Sequence, residues 1–330
     1  MKLALACNCG GRYSAKPSDP EDLYEEFDSP ETLEQIANEL SAFGHTVDIL
    51  EADRTFPSAL ENGKYEFVFN ISEGLKGPCR ESLVPAVCEM LDIPFSGSDA
   101  LTMGITLDKD LARRIVSEKV PIAHGRVFAS EKEINLSGLN FPVLVKPNAE
   151  GSSKGIRLKS KINDPNTAVS EIIDLMKSYN GPVLVEEFLP GSECTVAVLG
   201  NEHPDVLGIM EIAPRNGPLN QFVYSLEIKR DYLNHVDYFA PPRFSASIIR
   251  QIKSSAIDAY KLLKCRDFAR IDFRLDANDI PNFLEANPLP GLSPVKGDIV
   301  ILSRGHGVEY QELLRLILSN AFKRQNLKFP

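Results

Sequence analysis

Arg270-Ile271-Asp272-Phe273, followed by Phe283-Leu284-Glu285-Ala286-Asn287-Pro288, is the stretch on which the fold turns. Side chains alternate along a strand, so Arg270 and Asp272 share one face, and so do Glu285 and Asn287. Asp279 and Pro281 read as a turn between the two segments, which makes them a hairpin. Pairing then gathers Asp272, Glu285 and Asn287 as oxygen ligands. Hard oxygen donors of this kind suit Mg²⁺ held together with substrate phosphates, with Mn²⁺ able to take its place. Arg270 beside them is placed to neutralise charge on a transferring group. A surface ion-pair network would use the same polar residues, but it fits poorly with Ile271, Phe273, Phe283 and Leu284, which require a packed opposite face.

Two earlier segments point the same way. Val143-Leu144-Val145-Lys146 is an apolar strand ending in a lysine. Pro147-Asn148-Ala149-Glu150-Gly151-Ser152-Ser153-Lys154-Gly155 follows as a small-residue loop. Gly and Ser let backbone N–H groups approach an anion. A polar hairpin turn would explain the loop but not the lysine, and the spacing is not that of a P-loop. Val183-Leu184-Val185-Glu186-Glu187-Phe188-Leu189, with Glu193 beyond, runs from apolar residues into acids and then Phe-Leu. It could form an adenine slot with apolar faces and polar edges. By itself it reads better as an edge strand with solvated acids.

The remaining chain supplies the frame. Leu3–Cys7, Val47–Leu50 and Phe67–Ile71 read as strands. Between the first two, Ser29-Pro30-Glu31 has the form of a helix start, with Leu33, Ile36, Ala37 and Leu40 at helical spacing and Gly44 as a stop. A helix over about Arg80–Leu91 completes an alternation typical of an open parallel sheet. Further helices are expected near Asp108–Glu118, Ala168–Tyr179, Ser247–Leu263 and Tyr310–Phe322. Strands are expected at Phe141–Lys146, Pro182–Glu187, Cys194–Leu199, Val206–Ile212, Phe268–Leu275 and Asn282–Ala286. Pro214–Pro242 is a long polar stretch of weak periodicity, a candidate lid or binding loop.

The 330 residues fit two or three domains. With 36 Lys+Arg against 46 Asp+Glu, the formal net charge is −10, which disfavours nucleic acid or an anionic membrane as partner. No run approaches the length of a membrane span, and Met1–Ala6 reads as a buried strand, not a secretory segment. The 6 cysteines lack zinc-type pairing and read as reduced residues of a cytoplasmic protein. The histidines, His45, His124, His203, His235 and His306, show neither metal spacing nor a nucleophile context.

The three segments, in this order, resemble the ATP-grasp enzymes and most closely the D-alanine–D-alanine ligase group. The resemblance extends to Asn70-Ile71-Ser72-Glu73-Gly74, Ile93-Pro94-Phe95-Ser96-Gly97-Ser98, Leu107-Asp108-Lys109 and Glu285-Ala286-Asn287-Pro288-Leu289-Pro290-Gly291. It implies an α/β and α+β architecture: an ATP-grasp fold behind an N-terminal Rossmann-like domain. The domains expected are 1–101 for substrate, 102–184 as the central ATP-grasp unit and 185–330 as the C-terminal catalytic unit. It further implies that Lys109 and Lys146 contact nucleotide phosphates and that Ser152 lies in the closing loop. Glu186, Glu187, Phe188, Leu189, Glu193 and Leu284 hold adenine and ribose, and Lys229 approaches the γ-phosphate. Asp272, Glu285 and Asn287 correspond to the magnesium ligands, and Arg270 and Gly291 to the groups that stabilise the reacting carbonyl.

The implied reaction is ATP-dependent ligation of a carboxylate to an amine through an acyl phosphate, releasing ADP and phosphate, with small-molecule substrates and a homodimeric assembly. A D-alanine–D-alanine ligase of peptidoglycan synthesis and an ATP-binding regulatory protein without turnover are the alternatives. Three departures from the family pattern bear on the substrate. The segment after Gly10-Gly11 is longer than usual, and Glu26 is the candidate for the family's substrate glutamate. Arg230 stands where a tyrosine is expected, and Lys296-Gly297 replaces a Ser-Leu pair. Two added cations point to a substrate more anionic than D-alanine.

Overall fold

The computed structural model describes residues 1–329, so Pro330, the last residue of the third expected domain, lies outside it. Strands β1 (Lys2–Cys7), β2 (Thr46–Glu51) and β3 (Phe67–Asn70) form a parallel sheet in the order β2-β1-β3. Parallel sheets bury both faces, and β1 accordingly has five consecutive fully buried residues, Leu3–Cys7. The Pro30–Ala42 helix begins as its sequence signals. The Ser29 hydroxyl accepts from the Thr32 N–H, and Leu33, Ile36 and Leu40 enter the core. On the other face, Phe56, Leu60, Val84, Cys88 and Phe95 pack against Ala4, Ala6 and Val68.

Strands β4 (Gly125–Phe128), β5 (Val143–Pro147), β6 (Lys161–Ile162) and β7 (Val183–Glu187) make an antiparallel sheet in the order β4-β7-β5-β6. Val143, Val145, Val183 and Val185 pack against Ala168, Ile172 and Leu175 of the Pro165–Tyr179 helix. Alternation turns Leu144, Lys146 and Glu186 to the opposite side, where a cavity opens.

The third sheet contains β8 (Glu193–Leu199), β9 (Asp205–Pro214), β10 (Val236–Phe239), β11 (Phe268–Leu275) and β12 (Pro281–Asn287), in the order β10-β9-β8-β11-β12. Ile252, Ala256, Ala259 and Tyr260 of the Ala246–Leu262 helix cover one face, joined by Ala112 and Val116 of the Lys109–Val116 helix. The other face shares a core with the first sheet. There Ala197, Met210 and Phe268 meet Leu3, Leu5, Phe67 and Phe69 through the Tyr310–Arg324 helix. No helix among the described residues is long and apolar enough to cross a membrane.

The boundary expected between 184 and 185 falls inside β7, whose last residues pair with β5 and β4. Backbone pairing therefore carries the middle sheet on to Glu187. The Lys109–Val116 helix, expected in the central unit, packs on the third sheet because its apolar side matches that surface. The 214–242 stretch holds two short helices, Leu226–Arg230 and Tyr232–His235, and the edge strand β10.

Arg324 ties the last helix to the sheets. Its Nε and Nη2 donate to the fully buried Asp267 at 2.9 and 2.8 Å, and Nη2 also donates to the Phe95 carbonyl at 2.8 Å. Removing one partner of a buried pair strands the other charge. Arg324→Met is therefore expected to cost about 3–5 kcal/mol in urea unfolding, and adding Asp267→Asn should recover part of that loss.

Candidate active site

The β11–β12 hairpin sets Asp272 opposite Glu285 and Arg270 opposite Asn287, and the register shifts between Asp272 and Phe273. That shift leaves Leu284 as an extra residue on β12, a bulge. Strict alternation would separate Leu284 from Glu285. The bulge instead lets both line the same cavity, while Phe283 and Ala286 stay in the core beneath.

Arg270 is buried and donates to Asp272 through Nε at 3.0 Å and Nη2 at 2.8 Å. The Thr195 hydroxyl donates to the same carboxylate at 2.6 Å. Lys109 Nζ lies 3.2 Å from Glu285, and Arg270 Nη2 lies 3.7 Å from it. Burial alone would raise the Glu285 pKa, but Lys109 and Arg270 together hold it down at about 2. At Asp272 burial prevails over Arg270, and its pKa is raised.

Asn287 lies on the same face, its Oδ1 accepting from the Leu289 N–H at 3.0 Å. Among the described residues no group of three or more His, Cys, Asp and Glu is arranged for a metal. The set here is two carboxylates and an amide oxygen. That donor set fits Mg²⁺, which commonly takes one or two carboxylates and completes its shell with water and phosphate oxygens.

The cavity above this hairpin is closed on its far side by the middle sheet. Lys146 Nζ lies 2.5 Å from Glu186, which Arg113 approaches at 3.5 Å. Burial pushes the Glu186 carboxyl up, and these cations bring it below its usual range. Glu187 lines the cavity, but its side chain is held by Asn140 at 2.9 Å and His124 at 3.2 Å. Arg274, which the sequence reading missed, organises this wall. It bonds Glu193 at 3.1 Å and the Leu189 carbonyl at 2.7 Å, and its guanidinium lies 4.5 Å over the Phe188 ring. Lys161 lies 4.4 Å from the same ring.

The small-residue loop stands between this cavity and a second one. Ser152 and Ser153 adopt left-handed φ values of 49° and 60°, and Ser152 lines both cavities. The segment after Gly11 lies across the loop as a strap. Asp22, fully buried, accepts from the Gly155 N–H at 3.0 Å, from Arg157 at 3.0 Å and from the Tyr179 hydroxyl at 2.8 Å.

Glu26 belongs to the same strap, with Lys154 at 2.6 Å and Arg80 at 3.2 Å. Burial opposes its ionisation, but Lys154 and Arg80 hold its pKa at about 2. Arg230 reaches Glu25 at 2.7 Å and Glu21 at 3.4 Å. Both Glu26 and Arg230 line the second cavity, yet their charges are already met within the protein.

Lys296 and Gly291 line the second cavity as well, and Asp28 faces Lys296 there. Burial pushes the Asp28 pKa to about 6, with Lys296 pulling it back. Glu81, buried in the same lining, is raised to about 7, mainly by desolvation. Lys229 Nζ stands 3.7 Å from Asp298 at the junction of the two cavities. Asp22, Asp28 and Asp298 were not singled out from the sequence. Asp28 alone had a local signal, immediately before the Ser29 N-cap.

Residues 120–319 match the family model described as D-ala D-ala ligase C-terminus. The D-alanine–D-alanine ligase of Aquifex aeolicus is 30% identical over 293 residues, 88% of this chain and 94% of that protein. An uncharacterized protein of Sinorhizobium fredii is 28% identical over 98% of both chains. Among solved structures, D-alanine–D-alanine ligase of Bacillus anthracis complexed with ATP superposes with a TM-score of 0.75 at 19% identity, covering 99% of each chain. The D-Ala:D-Ser ligase VanG of Enterococcus faecalis reaches 0.73 at 20% identity, covering 97% of this chain and 99% of that one. The likeness in structure establishes the shared ATP-grasp fold. The matched family model and the Aquifex relative go further: the chain belongs to the D-alanine–D-alanine ligase family of carboxylate–amine ligases.

Proposed function

We propose that the protein joins the carboxylate of one amino acid to the amine of a second in specialised amino-acid or peptide metabolism, by way of an acyl phosphate made from ATP. The single observation that carries this reading is Arg270. It is buried on the hairpin, in contact with Asp272, and lines both cavities. In this reading ATP occupies the cavity of Lys109, Lys146, Glu186 and Glu193, with the backbone beside Glu187 and Leu189 and the apolar Phe188 and Leu284 around adenine. Asp272, Glu285 and Asn287 hold Mg²⁺, which supplies charge neutralisation on the phosphates.

The amino acids occupy the second cavity. The substrate carboxylate attacks the γ-phosphorus, and Lys109, Lys146 and Lys229 offset the charge on the transferring phosphoryl group. Arg270 and the Gly291 backbone face the oxygen that gains charge as the amine adds. Ser152 and its loop, held down by the strap, keep water from the acyl phosphate. The acidic composition and reduced cysteines favour a cytoplasmic enzyme, and the family pattern favours a homodimer.

In this reading two further residues, Lys296 and Asp28, meet the substrates. Lys296 is the exposed cation available to a substrate carboxylate, since Glu25 and Glu21 engage Arg230. Asp28 is a carboxylate available to the ammonium of the amino acid whose carboxylate reacts, since Lys154 and Arg80 engage Glu26. Peptidoglycan D-alanine–D-alanine ligation is the second reading, favoured by the named activity of the Aquifex relative. ADP release across a panel of D- and L-amino acids, with mass detection of the product, tests both. Product from D-alanine alone selects the second reading, and no product from any amino acid refutes both.

Glu285→Gln is expected to lower turnover by at least about a hundredfold through loss of metal affinity, and near-normal turnover would refute the metal assignment. Lys296→Ala should raise the amino-acid KM by about tenfold with kcat little changed, as expected for a group that binds ground and transition states alike. Asp28 serves as a carboxylate only above its raised pKa. kcat/KM is therefore expected to rise as pH passes through about 6, and Asp28→Asn to remove that inflection.

A further inference from the structure

Three carboxylates line both cavities: Glu150, Glu285 and Asp298. Lys154 holds Glu150 at 2.5 Å, and Lys109 holds Glu285 at 3.2 Å. Asp298 is buried too, its side chain only 5% exposed, but its partners stand further off. Tyr224 Oη is at 3.5 Å, Arg270 Nη1 at 3.6 Å and Lys229 Nζ at 3.7 Å. These distances are at or beyond the outer limit of a good hydrogen bond. The Tyr224 and Tyr238 hydroxyls, 2.6 Å apart, complete the surroundings. Arg270 is already committed to Asp272 through two nitrogens. Lys229 sits on the five-residue Leu226–Arg230 helix and, in the proposed function, serves the transferring phosphoryl group. Asp298 is thus a buried carboxylate with two cations in ion-pair range but no partner nearer than 3.5 Å, where the nucleotide cavity meets the amino-acid cavity.

We propose that Asp298 is a catalytic residue that binds the ammonium group of the attacking amine and takes its proton. The proposal rests on the ligase reading and deepens it. An amine enters as R–NH3⁺ and has no free electron pair until one proton leaves. That proton passes to a carboxylate oxygen of Asp298. The nitrogen lone pair then forms the C–N bond at the acyl carbon. The bond from that carbon to the phosphate oxygen breaks, and its electron pair leaves with phosphate. A second nitrogen proton departs with the phosphate, leaving a neutral amide, and Asp298 returns its proton to solvent. Positioning beside Arg270 puts the base next to the group that faces the developing oxyanion.

Hydroxylamine separates base catalysis from acyl-phosphate formation, because it is largely unprotonated at neutral pH and attacks without a base. Wild type and Asp298→Asn are assayed with ATP, Mg²⁺ and D-alanine, and then with the other proteinogenic amino acids in either configuration. Amide product is read by mass, and hydroxamate is read with hydroxylamine as acceptor. Asp298→Asn is expected to lose about 10²–10⁴-fold in amide formation while hydroxamate formation stays near wild type. Asp298→Ser, checked for nucleotide-dependent thermal stabilisation, repeats the comparison should the first variant fail to fold. Equal loss of amide and hydroxamate would reduce Asp298 to a support for Arg270 and overturn the proposal, as would undiminished amide formation. Wild type that yields neither product with any amino acid would refute the ligase reading itself, a result distinct from either of these.

Discussion

The enzyme is organised around one buried guanidinium. Arg270 lies among Asp272, Glu285 and Asp298, and a charge in such a place persists only if its surroundings compensate it. The compensation is distributed over the whole chain. Asp272 and Glu285 come from the hairpin, Thr195 from β8, Lys109 from a helix that packs on the third sheet, and Asp298 from the first turn of the Asp298–Gly305 helix. Because these groups sit on rigid elements, the charges are oriented before any ligand arrives. Electrostatic stabilisation of a phosphoryl or acyl transfer depends on that preorganisation.

A second set of ion pairs closes the site from above. The strap that follows Gly11 carries Glu21, Asp22, Glu25 and Glu26, and each meets a cation from another part of the chain. Asp22 binds the loop through the Gly155 backbone and Arg157, while Arg230 reaches the strap from the short Leu226–Arg230 helix. The strap thus joins the loop after β5 to the short Leu226–Arg230 helix. The exposed pairs with Arg230 are individually weak, whereas those of Glu26 and Asp22 are sheltered from solvent. This gradient places the easily broken contacts at the mouth and the firm ones beneath.

The hairpin was legible because alternation and a turn are local properties: Asp272 and Glu285 do face each other. Lys146 and Glu186 were legible for the same reason, as polar residues ending apolar strands. The bulge at Leu284 was not, because a register shift is set by the partner strand and by packing on both faces, neither of which is written in a single segment. Glu26 and Arg230 were singled out by comparison with the family pattern, but their partners lie at positions 154, 80, 25 and 21, and no spacing rule links such distant charges. The edge strand β10 escaped notice because four residues directly after a short helix carry too little periodicity.

The shared core beneath the first and third sheets bears on how the chain is made. Phe67 rests against Phe322, with ring centroids 4.9 Å apart, so the cover for part of the first sheet is synthesised long after the strand it covers. While the ribosome is still extending the polypeptide, that surface of Leu3, Leu5, Phe67 and Phe69 stays incompletely roofed. Nascent chains in this condition are targets for chaperone capture, because exposed apolar surface persists for the time needed to translate the interval. The first sheet, despite its regular alternation of strand and helix, completes the packing of this face only when the Tyr310–Arg324 helix arrives.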